Sequence, residues 1–128
     1  MPAVEVAAGL IQNGAGDYLI ARRRPGSHLE GLWEFPGGKR QPGESLEQCL
    51  ERELAEELAG AFTIGELIDT VRWEYPGQAV VIHFFRCHLE SGSVEPREGQ
   101  EIAWVAADGL AAYPFPPADA ALLSKLAT

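Results

Sequence analysis

The sequence lacks several features that would place a protein in a class at once. Its 128 residues include only two cysteines, Cys49 and Cys87, which are too few for a disulfide scaffold and do not form a metal-ligand pair. We interpret both as buried, reduced thiols. No apolar run reaches the roughly 18 residues of a membrane-spanning helix, and the first residues have neither the basic segment nor the long apolar stretch of a secretion signal. We therefore expect a cytoplasmic protein with no membrane partner.

Basic residues are also scarce. Ten lysines and arginines stand against 19 aspartates and glutamates, which gives a net charge of −9, and only Arg22-Arg23-Arg24 groups positive charge. A nucleic-acid-binding protein usually has a basic patch, so we expect no nucleic-acid polymer as a partner. An acidic chain still binds a polyanion when cations lie between the two, although a charged surface alone gives the same composition. The length fits one compact domain, predicted over residues 1–128.

The hydrophobic pattern predicts strands combined with two helices. The predicted strands are residues 4–11, 18–23, 32–35, 62–75, 79–89 and 102–105. The first helix is predicted to begin near Ser45, where Gln48 completes a capping box, and to end at Gly60. The second is predicted over residues 118–127, directly after a proline-rich segment, and residues 90–100 are predicted to be a polar loop. This mixture indicates an α/β or α+β fold rather than a repeated βαβ unit.

Three glutamates on the first predicted helix are the most informative feature of the chain. Glu53, Glu56 and Glu57 are three and four residues apart, so they project from one arc of the helix. Like charges at this spacing repel one another by a few tenths of a kcal/mol per pair, a cost that a purely structural helix has no reason to accept. Mg²⁺ prefers oxygen ligands and bridges to substrate phosphates. The spacing therefore predicts a site for a hard divalent cation.

The segment that carries these glutamates has a specific spacing. It reads Gly38, five residues, Glu44, seven residues, Arg52-Glu53, two residues, and Glu56-Glu57. This pattern resembles the Nudix box, and the flanking sequences WEFPGGK, REGQ and FPPA resemble those of the MutT-type branch, which cleans nucleotide pools. The box of the family ends in glycine where this chain has Ala59, followed by Gly60. We interpret the difference as a helix C-cap moved by one residue.

The resemblance covers nearly the whole chain and implies both a fold and a reaction. The implied fold is a Nudix-type α/β/α sandwich around a mixed β-sheet. The implied reaction is the Mg²⁺-dependent hydrolysis of a nucleoside triphosphate to a monophosphate and pyrophosphate, with Mn²⁺ as a possible substitute for Mg²⁺. A small-molecule nucleotide is then the expected partner, and both a monomer and a homodimer stay open.

The resemblance also implies a set of metal ligands. They are the Gly37 carbonyl, Glu53, Glu56, Glu57 and Glu98. Glu98, taken alone, is an ordinary loop glutamate. Glu44 either completes or orients the ligand set, and Arg52 either holds a carboxylate by a charge-assisted hydrogen bond or forms an i, i+4 surface pair. Glu53 is the candidate general base, although a carboxylate among metals can equally serve only as a ligand.

The candidate substrate-binding residues are Arg23, His28, Glu34, Phe35 and Asp119. Arg23 either contacts a phosphate or is an exposed arginine. His28 either borders the nucleotide or is an ordinary polar residue of a loop. At the position of Asp119, the 8-oxoguanine enzymes of the family have asparagine, which both donates and accepts. An ionised aspartate only accepts, which suits the amino group of cytosine or N6 of an oxidised adenine. Alternatively, Asp119 is an acid favoured by the dipole at a helix start.

Other functions stay open beside this one. A Nudix domain without catalytic activity could bind nucleotides or proteins, but such domains typically lose glutamates of the box, and here all are present. Nudix hydrolases of ADP-ribose or of dinucleoside polyphosphates usually have extra elements that this chain does not obviously offer. A redox module built on the two cysteines has no spacing to support it. Within the leading hypothesis, 8-oxo-dGTP and CTP or modified dCTP are both candidate substrates.

Overall fold

The strands of the protein form one mixed sheet in the computed structural model, which describes residues 3–127. The strands are β1 (Val4–Gln12), β2 (Tyr18–Arg22), β3 (Trp33–Glu34), β4 (Gly37–Lys39), β5 (Leu58–Tyr75), β6 (Gln78–Pro96) and β7 (Ile102–Val105). The α-helices are α1 (Leu46–Glu57) and α2 (Ala120–Leu126), with 3₁₀ turns at Ala107–Ala112 and Pro117–Asp119. The expectation of no secretion signal concerns the first residues of the chain, and two of these, Met1 and Pro2, lie outside the described residues.

The order of strands explains why the sheet is mixed. Neighbouring strands run β3-β2-β1-β6-β5, while β4 pairs with β1 and β7 pairs with β2. The central pair, β1 and β6, is parallel and begins with Val4 opposite Val80. The other pairs are antiparallel, and β5 and β6 form the predicted hairpin around Pro76-Gly77. This arrangement confirms the predicted fold class.

Two apolar clusters lie on opposite faces of the sheet, because side chains alternate along a strand. On β1, Ala8 and Leu10 point into a cluster that includes Leu122 of α2. Ala7 and Ile11 point the other way, into a cluster with the buried side chains of α1. Each helix therefore covers one face, which gives the predicted α/β/α sandwich. Cys49 and Cys87 both lie buried in the second cluster as free thiols, as predicted.

Helix α1 begins as predicted and ends earlier than predicted. Ser45 and Gln48 form the capping box, with hydrogen bonds of 3.0 and 2.9 Å between each side chain and the other residue's backbone N–H. The helix ends at Glu57, because Leu58 is already extended (φ −135°, ψ 148°) and begins β5. The prediction of a C-cap at Gly60 was wrong. Gly60 lies inside β5 at φ +127°, where a side chain would press on Leu89 at 3.2 Å.

The predicted loop over residues 90–100 was wrong for its first part. Strand β6 continues to Pro96, which pairs with Leu58 at the start of β5. Several residues of this extension are exposed and polar, so it lacks the period-two apolar signal that identifies a half-buried strand. The loop begins only at residue 97. In the described part of the chain, no helix is long and apolar enough to cross a membrane.

Candidate active site

Two consecutive glycines allow the strand before α1 to approach its neighbours closely. A Cβ atom at Gly37 would overlap the carbonyl oxygen of Ala7 on β1, which pairs with β4. A Cβ atom at Gly38 would overlap the carboxylate of Glu53 on α1. No side chain fits at either position without movement of the sheet or of this carboxylate. The glycine pair therefore brings the backbone of β4 against the acidic face of the helix.

Arg52 holds Glu44 by a two-pronged ion pair. Its Nε lies 2.7 Å from one carboxylate oxygen of Glu44, and its Nη2 lies 3.0 Å from the other. The backbone N–H of Gln41 donates to the same carboxylate at 2.8 Å. The hydrogen bonds from Arg52 and then from Gln41 lower the pKa of Glu44 to about 2, and the pKa of Arg52 is raised in turn. The loop before the helix is thus tied to the helix by charge.

Arg52 also contacts the glutamates beside it. Its Nη1 lies 3.0 Å from Glu53 and 3.4 Å from Glu56, and its Nη2 donates to the carbonyl of Lys39 at 3.1 Å. The i, i+4 contact with Glu56 is the longest of the three carboxylate contacts. This geometry favours a residue that orients several carboxylates over a simple surface pair.

An acidic cavity of about 210 Å³ opens beside the glycine pair. It is lined by Ala21, Arg22, Arg23, Arg24, Ser27, Glu34, Gly37, Glu53, Glu57, Glu98 and Gln100. Of the five predicted ligands, four therefore lie around one space, together with Arg23 and Glu34. The fifth, Glu56, is exposed and does not line the cavity. Glu44 does not line the cavity either and is paired with Arg52.

Glu57 contributes a buried carboxylate oxygen to this cavity. Its Oε2 atom is buried and has no hydrogen-bond partner. Burial, followed by the charges of Glu53, Glu34 and Glu98, raises the pKa of Glu57 to about 9. Within residues 3–127, no three His, Cys, Asp or Glu side chains are arranged as a metal site in the structure as it stands. An all-oxygen donor set with one unpaired carboxylate oxygen nevertheless fits a hard divalent cation.

A second, larger cavity of about 480 Å³ adjoins the acidic one and shares Arg23, Glu34 and Gly37 with it. Much of its lining is apolar, from the parallel pair of strands: Val4, Val6, Val80, Ile82 and Phe84. Arg23 donates to Glu34 at 2.7 Å and to the carbonyl of His28, so it is tied both to β3 and to the loop after β2. Burial raises the pKa of Glu34, against the opposing charge of Arg23.

The remaining predicted substrate residues also line the apolar cavity. The ring of His28 meets that of Tyr75 edge-on at 5.4 Å, which joins the loop after β2 to the β5–β6 turn. Phe35 is 4% exposed and packs on Phe84 and Phe115, so it belongs to the core as much as to the cavity wall. Asp119 is 5% exposed, and its side chain makes no capping hydrogen bond to α2.

The pKa of Asp119 is raised toward neutral pH. Burial, followed by the charge of Glu34, raises its pKa to about 7. In turn, burial and the charge of Asp119 raise the pKa of Tyr75. A helix-start acid that only met the dipole of α2 would not be this deeply buried. The environment therefore favours a polar group that faces the cavity over a surface cap.

Several residues that line the two cavities are not among the predicted site residues. They are Arg24, Ser27, Lys39, Tyr75, Gln78 and Gln100, together with the apolar residues of β1 and β6. Val4 and Val6, opposite Val80 and Ile82, do show the period-two spacing of one strand face. That signal could have shown that these residues share a face. It could not show that the face lines a cavity.

Known proteins resemble this chain over most of its length. The family model for the NUDIX domain matches residues 7–125. An 8-oxo-dGTP diphosphatase of Haemophilus influenzae is 39% identical, covering 96% of this chain and 90% of the relative. A CTP pyrophosphohydrolase of Escherichia coli is 37% identical with the same coverage. The crystal structure of a MutT protein from Methanosarcina mazei superposes with a TM-score of 0.87 at 27% identity, covering 98% of this chain and 93% of that one.

Proposed function

The chain belongs to the NUDIX family and is a hydrolase of the MutT type, and we propose that its two cavities bind the two ends of a (deoxy)nucleoside triphosphate. The products are the monophosphate and pyrophosphate, in a reaction that clears unwanted nucleotides from the pool. The observation that carries this proposal is the junction at Arg23, Glu34 and Gly37 between an acidic and an apolar cavity. A triphosphate with its cation suits the first, and a base suits the second.

Hydrolases of this type depend on a divalent metal, and we propose Mg²⁺, with Mn²⁺ as a substitute. Glu53, Glu57, Glu98 and the Gly37 carbonyl would hold it, because these groups line the acidic cavity. Glu56, which is exposed and pairs with Arg52, would add a further ligand from the edge of the cavity. When bound there, the metal supplies charge neutralisation for the phosphates and a more acidic water.

The chain's own residues orient this set. Arg52 fixes Glu44 and one oxygen of Glu53, which limits the positions that the Glu53 carboxylate can take. We propose that Glu53 is the general base that accepts the proton of the attacking water. The alternative is that Glu53 serves only as a metal ligand. Arg23, oriented by Glu34, faces both cavities and is proposed to contact a phosphate next to the sugar.

Asp119 is proposed to read the base. With a pKa of about 7, both of its charge states are available near neutral pH. A protonated Asp119 can donate to O6 of 8-oxoguanine, while an ionised one can accept from the amino group of cytosine. These alternatives correspond to the substrates in the names of the two relatives. His28 and Phe35 are proposed to bound the base pocket, and no wider role is assigned to either.

A panel assay tests the proposal. The purified protein is incubated with Mg²⁺ and with canonical and oxidised nucleoside triphosphates, and pyrophosphate and orthophosphate are measured separately. We expect pyrophosphate and monophosphate in equal amounts, and no turnover when the metal is chelated. Orthophosphate as the primary product would point to a terminal phosphatase and contradict the mechanism. Nucleotide binding without any turnover would instead support a non-catalytic nucleotide-binding domain.

Three further proposals accompany this function. We propose that residues 1–128 act as one domain, because both apolar clusters are built on the same sheet. We propose the cytoplasm as its location on the basis of the two free thiols. We propose either a monomer or a homodimer as the assembly.

A further inference from the structure

Gln100 is a buried polar side chain that joins two parts of the acidic cavity. It is 8% exposed, and it lies at the end of the loop that follows β6. Its Nε2 donates to the backbone carbonyl of Glu57 at 3.0 Å. Its Oε1 accepts from the backbone N–H of Glu98 at 3.0 Å. One side chain therefore connects the end of α1 to the loop residue that lines the cavity opposite the helix.

The contact with Glu57 uses a carbonyl at the end of α1. The last carbonyls of a helix have no partner within the helix and need one elsewhere. The Glu57 carbonyl accepts from the N–H of Arg97 at 2.9 Å as well as from Gln100. Loss of the Gln100 side chain thus leaves this carbonyl with a partner. The same loss removes the side-chain acceptor of the Glu98 N–H.

Glu98 otherwise belongs to an exposed stretch of chain. Arg97, Glu98 and Gly99 are all exposed, so packing does not fix their positions. Beside the bond from its N–H to Gln100, the Glu98 backbone is held by Arg24, whose Nη1 donates to its carbonyl at 3.0 Å. The N–H and the carbonyl of Glu98 itself are therefore held by two side chains, of which only Gln100 is buried.

We propose that Gln100 is a positioning residue, which holds Glu98 at the acidic cavity at a set distance from the glutamates of α1. The proposal rests on the role of Glu98 as a metal ligand in the proposed function. A group that orients a metal ligand typically changes metal affinity or activity by about 10- to 100-fold when it is removed. Gln100 is expected to act in this way without touching the metal.

Gln100→Met tests the proposal, because methionine keeps the length and loses both hydrogen bonds. Gln12→Met is the matched control. Gln12 also donates to a backbone carbonyl, that of Gly16 at 3.1 Å, and accepts a hydrogen bond, from Arg86 at 3.0 Å, but it lies at the far end of β1 and lines neither cavity. The readout is direct binding of Mn²⁺ or Mg²⁺ to the substrate-free protein by titration calorimetry. Melting temperatures monitor the fold.

We expect Gln100→Met to weaken metal binding by about 10-fold and Gln12→Met to leave it unchanged. Glu98→Gln should also weaken binding, and the double variant should be no weaker than Glu98→Gln alone, because Gln100 acts through Glu98. Unchanged metal affinity in Gln100→Met would overturn the proposal. So would additive losses in the double variant, since these would mean that Gln100 acts by another route.

A second variant covers the case in which Gln100→Met does not fold. Gln100→Asn keeps the amide but is one methylene shorter, so it cannot span both backbone groups, and the same loss of metal affinity is expected. If Glu98→Gln binds metal normally, the inference fails together with the ligand role of Glu98. The hydrolysis itself would still be judged by the products of the panel assay. If Glu98→Gln is weakened and both Gln100 variants are not, only the inference fails.

Discussion

The two cavities that meet at Arg23, Glu34 and Gly37 are held by different forces. The acidic cavity is held by ion pairs and backbone hydrogen bonds that place like charges close together, and one glutamate oxygen in it has no partner. Much of the apolar cavity is lined by packed side chains of β1 and β6, with one buried acid. A misplaced charge in the first should change the rate of the reaction. A changed group in the second should change which base is accepted.

The largest effect is expected for Glu57→Gln. Glutamine keeps the shape but removes a ligand charge, so turnover should fall on the order of 100-fold. The metal-free protein should become more stable, because burial and neighbouring glutamates oppose ionisation of Glu57. Its folded pKa, about 9, lies above the ordinary value of 4.5, so the folded state binds more protons between these pH values, and metal-free stability should fall as pH rises through that window.

Steady-state kinetics and melting curves with a chelator measure both parts of this prediction. The pH dependence of the melting temperature should be weaker in Glu57→Gln than in the parent. If the three single variants Glu53→Gln, Glu56→Gln and Glu57→Gln all kept near-native turnover, the acidic cavity would not be the reaction centre.

A loss of the same order is expected for Gly38→Ala. The new Cβ overlaps the Glu53 carboxylate, so this group must move, and a misplacement of about 1 Å at a reacting group can reduce the rate about 100-fold. Gly14→Ala is the control, because nothing lies within 4 Å of a Cβ at that turn. Measurement of kcat/KM for both variants tests the idea. Equal activity of the two would show that Glu53 has room to adjust.

Arg52→Lys should reduce turnover about 10-fold. Lysine keeps the positive charge but cannot contact both oxygens of Glu44 and the Glu53 carboxylate in one plane. The control is Arg72→Lys, which alters an exposed pair with Glu74 on β5. The loss should appear in kcat and in the Mg²⁺ concentration required. A loss in Arg72→Lys of the same size would mean that lysine at any ion pair is harmful and that Arg52 has no special role.

The smallest effect is expected in the apolar cavity. Asp119→Asn should change the ratio of kcat/KM for 8-oxo-dGTP and CTP about 10-fold in favour of 8-oxo-dGTP, while the rate on the better substrate changes little. In the parent, protonated Asp119 is the donor form. Activity on 8-oxo-dGTP should therefore fall, and activity on CTP rise, as pH increases through about 7.

The ratio of the two activities against pH separates the alternatives for Asp119. In Asp119→Asn this ratio should no longer change near pH 7. A substrate ranking that is the same in both proteins at each pH would mean that the base is read elsewhere. Asp119 would then have only a structural role at the start of α2.

Local rules predicted the parts of the fold that depend on neighbouring residues. The capping box at Ser45 and Gln48 and the hairpin at Pro76-Gly77 were confirmed, because each involves groups only a few residues apart. The end of α1 was not predicted. Leu58 leaves the helix because it pairs with Pro96 in β6, a partner 38 positions away that no local rule includes. The same pairing turned part of a predicted loop into strand.

The candidate site divides in the same way. The acidic face of α1 could be predicted from residue spacing, because helix geometry alone places Glu53, Glu56 and Glu57 on one side of a helix. Contacts between distant parts of the chain set which of these carboxylates face the cavity. They also bury the oxygen of Glu57 without a partner and connect Glu98 to the helix through Gln100. Burial and charge–charge distances depend on residues far apart in the chain. For that reason, the raised pKa of Asp119 could be found only in the folded molecule.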